Sequence, residues 1–307
     1  MRILILFNPI AGKGKSRAVA RRVDERLRAA GHETVVAETR VGACTHWLDG
    51  LLTEVDGLVV AGGDGAMRLA CDPAGRTSTP IYQIPCGTEN LFAREFGMSR
   101  SPRALLEALQ QFTIGRADTG LVGDQPFLHM VSMGYDAAVV HDLARRRGRS
   151  ISHASYLRPM VGQLLRWEAP RLLVVVDGEP IGEPQAGCVI VANSRQYAGR
   201  LDPAWKASIT DSRLDVVFLP TRSRLDLIGW IVKCRLRRQR RDPRLLYRQG
   251  REVEIHCEPP QLFQVDGDPP GGEGAAASRL EITLRPAFLP VLQPAPPRQA
   301  RTGFFKV

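Results

Sequence analysis

The 307 residues carry 42 Lys and Arg against 32 Asp and Glu, a formal net charge of +10, with 44% hydrophobic and 24% charged residues. With a mean hydropathy of −0.15, this composition excludes a disordered chain and a membrane-spanning bundle, and the length allows two domains with a real core. The positive excess calls for a polyanionic partner: nucleic acid, an anionic membrane surface or a phosphorylated substrate.

The chain opens on an apolar run expected to form a strand over 3–7 and closed by Asn8-Pro9. It is too short to cross a membrane and no cleavable signal pattern follows, so the expected location is cytoplasmic. The six cysteines (Cys44, Cys71, Cys86, Cys188, Cys234 and Cys257) form no C-x-x-C pair, which argues for reduced thiols over a disulfide or zinc framework. The segment Gly12-Lys13-Gly14-Lys15-Ser16 ends like a P-loop, but the motif's leading glycine would be Pro9, which has no N–H and a fixed φ. What remains is a basic loop with Lys13 and Lys15 as candidate phosphate cations. It opens an amphipathic helix near 16–30 whose N-terminus favours anions.

After Gly31 come strands over 33–37 and 58–61, the latter running into Gly62-Gly63-Asp64-Gly65. These glycines let backbone N–H groups approach a phosphate, and Asp64 fits there as a metal holder or as the acceptor of a hydroxyl proton. A plain strand-ending turn is the alternative. A fourth strand over 81–84 leads into Pro85-Cys86-Gly87-Thr88 and a helix near 89–97. Strands alternating with helices predict a parallel sheet whose ligand edge is the carboxyl end of the strands, where all three glycine loops converge.

Beyond 117 the texture becomes β-rich. Strands are expected over 126–131, 172–176, 188–191, 214–218, 252–256 and 279–284, with helical inserts near 151–167 and 222–241. The expected fold class is therefore α/β plus β: a three-layer N-terminal α/β domain over 1–117 and a sandwich-like β-rich domain over 118–285. The Pro-rich tail 286–307 is expected to pack back on the first domain.

The ordered segments Asn8-Pro9, Gly62-Gly63-Asp64-Gly65, Pro85-Cys86-Gly87-Thr88-Glu89-Asn90-Leu91-Phe92-Ala93-Arg94, Gly134-Tyr135-Asp136-Ala137, Ala192-Asn193-Ser194, Asp211-Ser212-Arg213-Leu214-Asp215 and Val265-Asp266-Gly267-Asp268 resemble the diacylglycerol kinase catalytic family. That family includes bacterial lipid kinases, sphingosine kinases and ceramide kinases, and the resemblance spans about residues 3–284. It implies an ATP-binding first domain, a lipid-binding second domain and a site in the cleft between them. By that resemblance Asn8, Gly62, Gly63, Asp64, Gly65, Gly87 and Thr88 surround ATP, with Asn90 in support and Gly267 and Asp268 from the second domain. Asp266 is the implied general base, and Asp64 orients Mg²⁺ or shares that role. Asp211 and Asp215 look like the acids of a second, structural Mg²⁺; an ordinary polar turn is the alternative. For Asp266-Gly267 the alternative is a simple β-turn.

The chain departs from the family pattern at four places, two of them Ser212, where a glycine is usual, and Tyr197-Ala198-Gly199-Arg200, which replaces a glycine-richer run. Ala66 stands where a threonine is usual, which removes a hydroxyl near the phosphates, and Met67 and Arg68 follow it. The final D-G-E is Asp266-Gly267-Asp268, shorter by one methylene.

The helix over 222–241 brings Leu225, Ile228, Val232 and Leu236 to one face with Trp230 beside them, and arginines gather at its end. With the 151–167 helix it suits an anionic inner leaflet; helices covering the β domain are the alternative. Nucleic acid is not expected at 6% aromatic residues with no recognisable module. The expected activity is ATP- and Mg²⁺-dependent phosphorylation of a hydroxyl on a diacylglycerol, ceramide or sphingoid-type lipid. The alternatives are a soluble-substrate kinase of the NAD-kinase type and a catalytically weakened nucleotide- or membrane-binding protein. A homodimer through an exposed strand is left open.

Overall fold

The computed structural model describes residues 1–9, 14–40, 46–146, 153–197, 199, 201–271 and 274–294, with only the backbone of 153–156. The first part alternates β1 (Arg2–Phe7), α1 (Lys15–Ala29), β2 (Glu33–Glu38), α2 (His46–Leu52), β3 (Gly57–Gly62), α3 (Asp64–Arg76) and β4 (Ile81–Pro85), then α4 (Leu91–Phe96) and α5 (Pro102–Gln111). The strands lie parallel in the order β4-β3-β1-β2, in registers such as Leu4↔Val35, Leu4↔Leu58 and Leu58↔Ile81. β3 is buried at every position, as a central strand of a sheet covered by helices must be.

The second part is antiparallel, with β5 (Ile114–Val122), β6 (Gln125–Phe127), β7 (Met130–Met133), β8 (Arg171–Val176), β9 (Glu179–Pro180), β10 (Gln185–Ala192), β11 (Leu214–Pro220), β12 (Leu246–Gly250), β13 (Glu252–Val265) and β14 (Ala276–Leu292). Three helices, α6 (Tyr135–Arg145), α7 (His153–Arg166) and α8 (Arg224–Arg235), interrupt the strands. Val131, Val174, Val191, Val216, Ile255 and Ile282 share one apolar core, and Tyr135, Ile190, Val217 and Trp230 share another beneath α6 and α8.

One strand stitches the two parts together. β14 pairs first with β13 (Ile255↔Leu280) and then along β5 (Ile282↔Val122 to Leu292↔Ile114). It ends beside β4, in parallel, at Val291↔Ile81. The segment beyond 286 thus completes the first sheet as far as Leu292, and residues 295–307 lie outside the described residues.

Several sequence expectations are corrected. The strand over 126–131 is two strands, because the chain breaks at Leu128 and His129 between β6 and β7. The helix over 222–241 ends at Arg235, and a single 3₁₀ turn, Gln239–Arg241, follows Arg237 at φ 56°. Trp230 does not join the exposed face of α8; it is buried, and its indole N–H donates to the Pro220 carbonyl at 2.7 Å. Helices α2, α3, α5 and α6 and strand β5 were not foreseen. In α3 the reason is plain: Gly65, Pro73 and Gly75 each disfavour a helix, and burial of Met67, Ala70, Cys71 and Ala74 overrides them.

Gly75 illustrates how the parts fit. In a helix, Gly→Ala normally stabilises by about 1 kcal/mol. Here a Cβ would run into the ring of Phe288 on β14, and overpacking costs about 1–3 kcal/mol. Gly75→Ala is therefore expected to lower stability in urea titrations by about 1–2 kcal/mol, and to become neutral or stabilising in a Phe288→Ala background.

Candidate active site

Two glycine loops meet at the carboxyl edge of the first sheet. β3 ends at Gly62 and turns through Gly63 into α3; β4 ends at Pro85 and turns through Cys86 and Gly87. The loops touch backbone to backbone: a Cβ on Gly87 would lie 2.7 Å from the Gly63 Cα, and one on Gly63 would lie 3.1 Å from the Gly87 Cα. No side chain fits at either position, which is the physical reason for glycine there. A Cβ on Gly62 would come 2.6 Å from the Ala66 methyl, and Ala66 is itself buried, so position 66 packs under the strand end.

Asn90 closes the second loop. It adopts φ 50°, its Oδ1 accepts the Gly87 N–H at 2.7 Å and its Nδ2 donates to the Gly87 carbonyl at 2.8 Å. Its side chain is therefore spent on shaping the loop, while Thr88 between them is exposed. The third loop, after β1, is described only at its ends. The Asn8 carbonyl accepts the Ser16 hydroxyl, Gly14 takes φ 82° and Lys15 stands exposed at the start of α1. Lys13 lies outside the described residues.

Asp64 is the first residue of α3, half-buried, and its Oδ1 accepts the Phe92 N–H at 3.4 Å. Burial raises its pKa above the ordinary carboxylate value; the charge of His129 and the Phe92 N–H oppose this, and the charge of Asp266 adds to it. Asp64 and Asp266, 202 positions apart in sequence, thus feel each other across the junction of the two parts.

Asp266 and Gly267 form the tip of a two-residue turn at φ 50° and 83°, closed by Val265 N–H to Asp268 O at 2.9 Å and Asp268 N–H to Val265 O at 3.0 Å. Positive φ at both central residues is the type I′ pattern, for which Asp-Gly is a preferred pair. The Asp266 carboxylate accepts three consecutive backbone N–H groups, from Leu128 at 2.7 Å, His129 at 2.8 Å and Met130 at 2.9 Å. These bonds account for the break between β6 and β7, because the three N–H groups turn out of the ladder onto one side chain. Gln264 Oε1 accepts the Gly267 N–H at 2.7 Å, and Gln264 in turn donates to Ser132, which donates to Asp136. Gly65 faces this turn, with Asp268 Oδ2 3.8 Å from where its Cβ would be.

Sequence reasoning missed His129. It is 1% exposed, its Nδ1 lies 2.8 Å from Ser194 Oγ, and among the described residues its Nε2 has no partner. The only signal in the sequence was a lone histidine in an apolar run. Arg68 was noted only as a departure; it crosses between the parts, reaching the Val265 carbonyl at 3.1 Å and Asp268 at 3.3 Å.

Asp211 lies exposed in the turn before β11 and Asp215 buried as the second residue of that strand. Asp215 Oδ1 accepts from Tyr247 and from Gln249, and its Oδ2 is buried without a partner among the described residues. Asp118 nearby is spent on the Ser212 and Ala287 N–H groups. Among the described residues no three His, Cys, Asp or Glu side chains form a metal cage. A cation at this pair would need backbone or water oxygens to complete it, and the orphaned Oδ2 and hard oxygen donors fit Mg²⁺ in kind.

A model of the diacylglycerol kinase catalytic domain matches residues 2–122, and one of the YegS C-terminal NAD kinase beta sandwich-like domain matches residues 129–293. A diacylglycerol kinase of Mycobacterium tuberculosis is 26% identical over 304 residues, covering 95% of each chain. A probable lipid kinase YegS-like of Pseudomonas aeruginosa is 29% identical over 239 residues, covering 74% of each. Among solved structures, a diacylglycerol kinase from Bacillus anthracis superposes with a TM-score of 0.73 at 18% identity, covering 95% of this chain and 96% of that one, which shows the shared fold.

Asp215 carries a pH prediction. Burial raises its carboxyl to about 6, against hydrogen bonds from Tyr247 and Gln249 and with the charge of Asp211 adding. The folded pKa lies above the unfolded value, so the fold holds this proton more tightly and loses stability as pH rises from about 4 through about 6. Relative to Asp215→Asn, the wild type is expected to lose about 2–3 kcal/mol of unfolding free energy between pH 4 and 7. Urea titrations across that range check it, and parallel pH profiles would contradict it.

Proposed function

The chain belongs to the diacylglycerol kinase catalytic family, with a YegS-type C-terminal domain, and is a lipid kinase; we propose that it transfers the γ-phosphate of ATP to a hydroxyl of a diacylglycerol, ceramide or sphingoid-type lipid in an Mg²⁺-dependent step. One observation carries the reading: two glycine loops in backbone contact lie beside Asp64, and the Asp266 turn of the second part comes up against the same helix start, with Asp268 Oδ2 3.8 Å from where a Cβ on Gly65 would be.

The loops of Gly62, Gly63, Gly65 and Gly87 offer a surface on which nucleotide phosphates meet backbone, next to the positive end of α3. Asn8, Lys15 and Thr88 border it, and Lys13 belongs to the same loop as Lys15. Asp266 is the general base. Its three N–H partners occupy most of its roughly four lone-pair directions, leaving a single aimed position for the acceptor hydroxyl. In-line phosphoryl transfer asks more for such placement than for a strong base. Gly267 and Asp268 complete the turn that presents it.

Asp64 fits the role of Mg²⁺ holder on an observation of its own. It is half-buried at the first residue of α3 beside the glycine loops, its Oδ1 takes the Phe92 N–H at a long 3.4 Å, and hard carboxylate oxygens suit Mg²⁺ there. Mg²⁺, when bound, supplies charge neutralisation at the phosphates. Asp211 and Asp215 are assigned the second, structural ion.

The acceptor comes from a bilayer, and the outer helices suit that task. On α7, Leu157 is 66% and Leu165 62% exposed; on α8 Leu225 is 79% exposed, and Leu236 just past its end is 56% exposed. Arg158, Arg166, Arg224 and Arg235 stand among them. An apolar stripe rimmed by arginine favours an anionic lipid surface, at about 1 kcal/mol per basic residue near it. Among the described residues no helix is long and apolar enough to cross a membrane.

Purified protein with labelled ATP and a panel of diacylglycerol, ceramide, sphingoid base and phosphatidylglycerol is expected to yield a labelled lipid, and no product from any of them sinks the reading. Asp266→Asn is expected to lower kcat by on the order of 10²-fold or more, whereas Asp64→Asn raises the Mg²⁺ concentration needed for half-maximal activity. Leu157→Glu with Leu225→Glu is expected to reduce co-sedimentation with phosphatidylglycerol vesicles while leaving thermal stability unchanged, since both side chains face solvent.

A further inference from the structure

We propose that Arg68 is a positioning residue that sets the separation of Asp64 and Asp266 by clamping the Asp266 turn of the second domain onto helix α3 of the first. The inference rests on the reading of those two acids as the reaction centre.

Asp64 opens α3 and Arg68 follows one turn later on the same face, so both look toward the second domain. The two acceptors of Arg68 bracket Asp266: the Val265 carbonyl one residue before it, at 3.1 Å from Nη1, and Asp268 Oδ2 two residues after it, at 3.3 Å from Nη2. The same Val265 carbonyl receives the Asp268 N–H at 3.0 Å, so the guanidinium closes over the hydrogen bond that defines the turn. Both side chains are largely shielded, at 22% and 26% exposure, so the pair is less screened than a surface ion pair. A planar fork reaches a carbonyl and a carboxylate together, which the point charge of a lysine does not.

The turn is also tied to its own domain. Asp266 bonds Leu128, His129 and Met130, and Gly267 bonds Gln264. It is a stiff unit, and Arg68 bonds it to α3 at both ends of the turn. Farther along the helix, Asp72 pairs with Arg285 and Gly75 packs on Phe288, so the far end of the seam is held independently. Loss of Arg68 therefore lets the near end of the seam, at the start of α3 and the Asp266 turn, open by itself. A displacement of about 1 Å at a reacting centre costs on the order of 10²-fold in rate.

The test compares Arg68→Ala, Arg68→Lys and Arg68→Asp with the charge-swapped Arg68→Asp/Asp268→Arg. Arg68→Ala is expected to lower kcat about 10- to 100-fold with little change in the KM for ATP, and Arg68→Lys is expected to fall between it and wild type. The swap is expected to recover about tenfold of the activity lost in Arg68→Asp. Amide hydrogen exchange of the peptide 263–270 is expected to rise about tenfold in Arg68→Ala, at an unchanged rate in 70–76. Unchanged kcat and exchange in Arg68→Ala overturn the proposal, and so does full activity in Arg68→Lys. A loss that the swap does not recover, with a lowered Tm and faster exchange throughout, assigns Arg68 a merely structural role and also overturns it. If wild type phosphorylates no lipid, the kinase reading fails by itself, and the exchange measurement alone decides the clamp.

Discussion

Three consecutive backbone N–H groups converging on the Asp266 carboxylate are the interaction on which the candidate site depends. An N–H turned out of a β-ladder must find another acceptor, and here one ionised side chain satisfies three. That single contact breaks what would have been one strand into β6 and β7. It also fixes the backbone of His129. Behind it, Gln264, Ser132, Asp136 and Tyr197 form a buried chain of hydrogen bonds that leaves the turn little freedom. A buried acid such as Asp136, whose pKa burial raises, is tolerated because its partners are in place.

The second constraint is the face that α3 turns toward the other domain. Asp64, Arg68, Asp72 and Gly75 recur at helical spacing, and each has its own counterpart: the Asp266 field, the Val265–Asp268 turn, Arg285 and Phe288. Arg285 is itself stacked 3.8 Å over the Phe288 ring and bonded to Thr119, and burial lowers its pKa from the usual arginine value. With β14 shared between the sheets, this face makes the junction of the two parts a consequence of the fold.

Much of the architecture was legible in the chain because its signals are local. The buried runs ending in glycine loops, the helix over 16–30 and the β-rich texture beyond 117 follow from periodicity and punctuation. The missed elements are those where local signals oppose the outcome. Helix α3 carries two glycines and a proline within 13 residues and forms because its apolar face is buried. The stripe on α8 was read correctly at Leu225, Ile228, Val232 and Leu236, yet Trp230 turned inward to the Pro220 carbonyl. An indole that finds both apolar cover and an acceptor gains more inside than at a surface.

The sequence by itself determined the family, the two-part organisation and the chemistry-bearing residue types, since glycines that must approach a phosphate and acids that must face a hydroxyl leave ordered, compact motifs. Only the tertiary structure decided which of these residues meet and which are taken up in holding one another in place. Asn90 shapes its own loop and Gly63 and Gly87 exclude side chains from each other. His129 enters with its Nε2 unpartnered among the described residues, and Arg68 bonds across the two parts. Those roles arise from contacts between residues up to 200 positions apart, and pairing at that range is set by how the sheets and α3 pack, which no local pattern encodes.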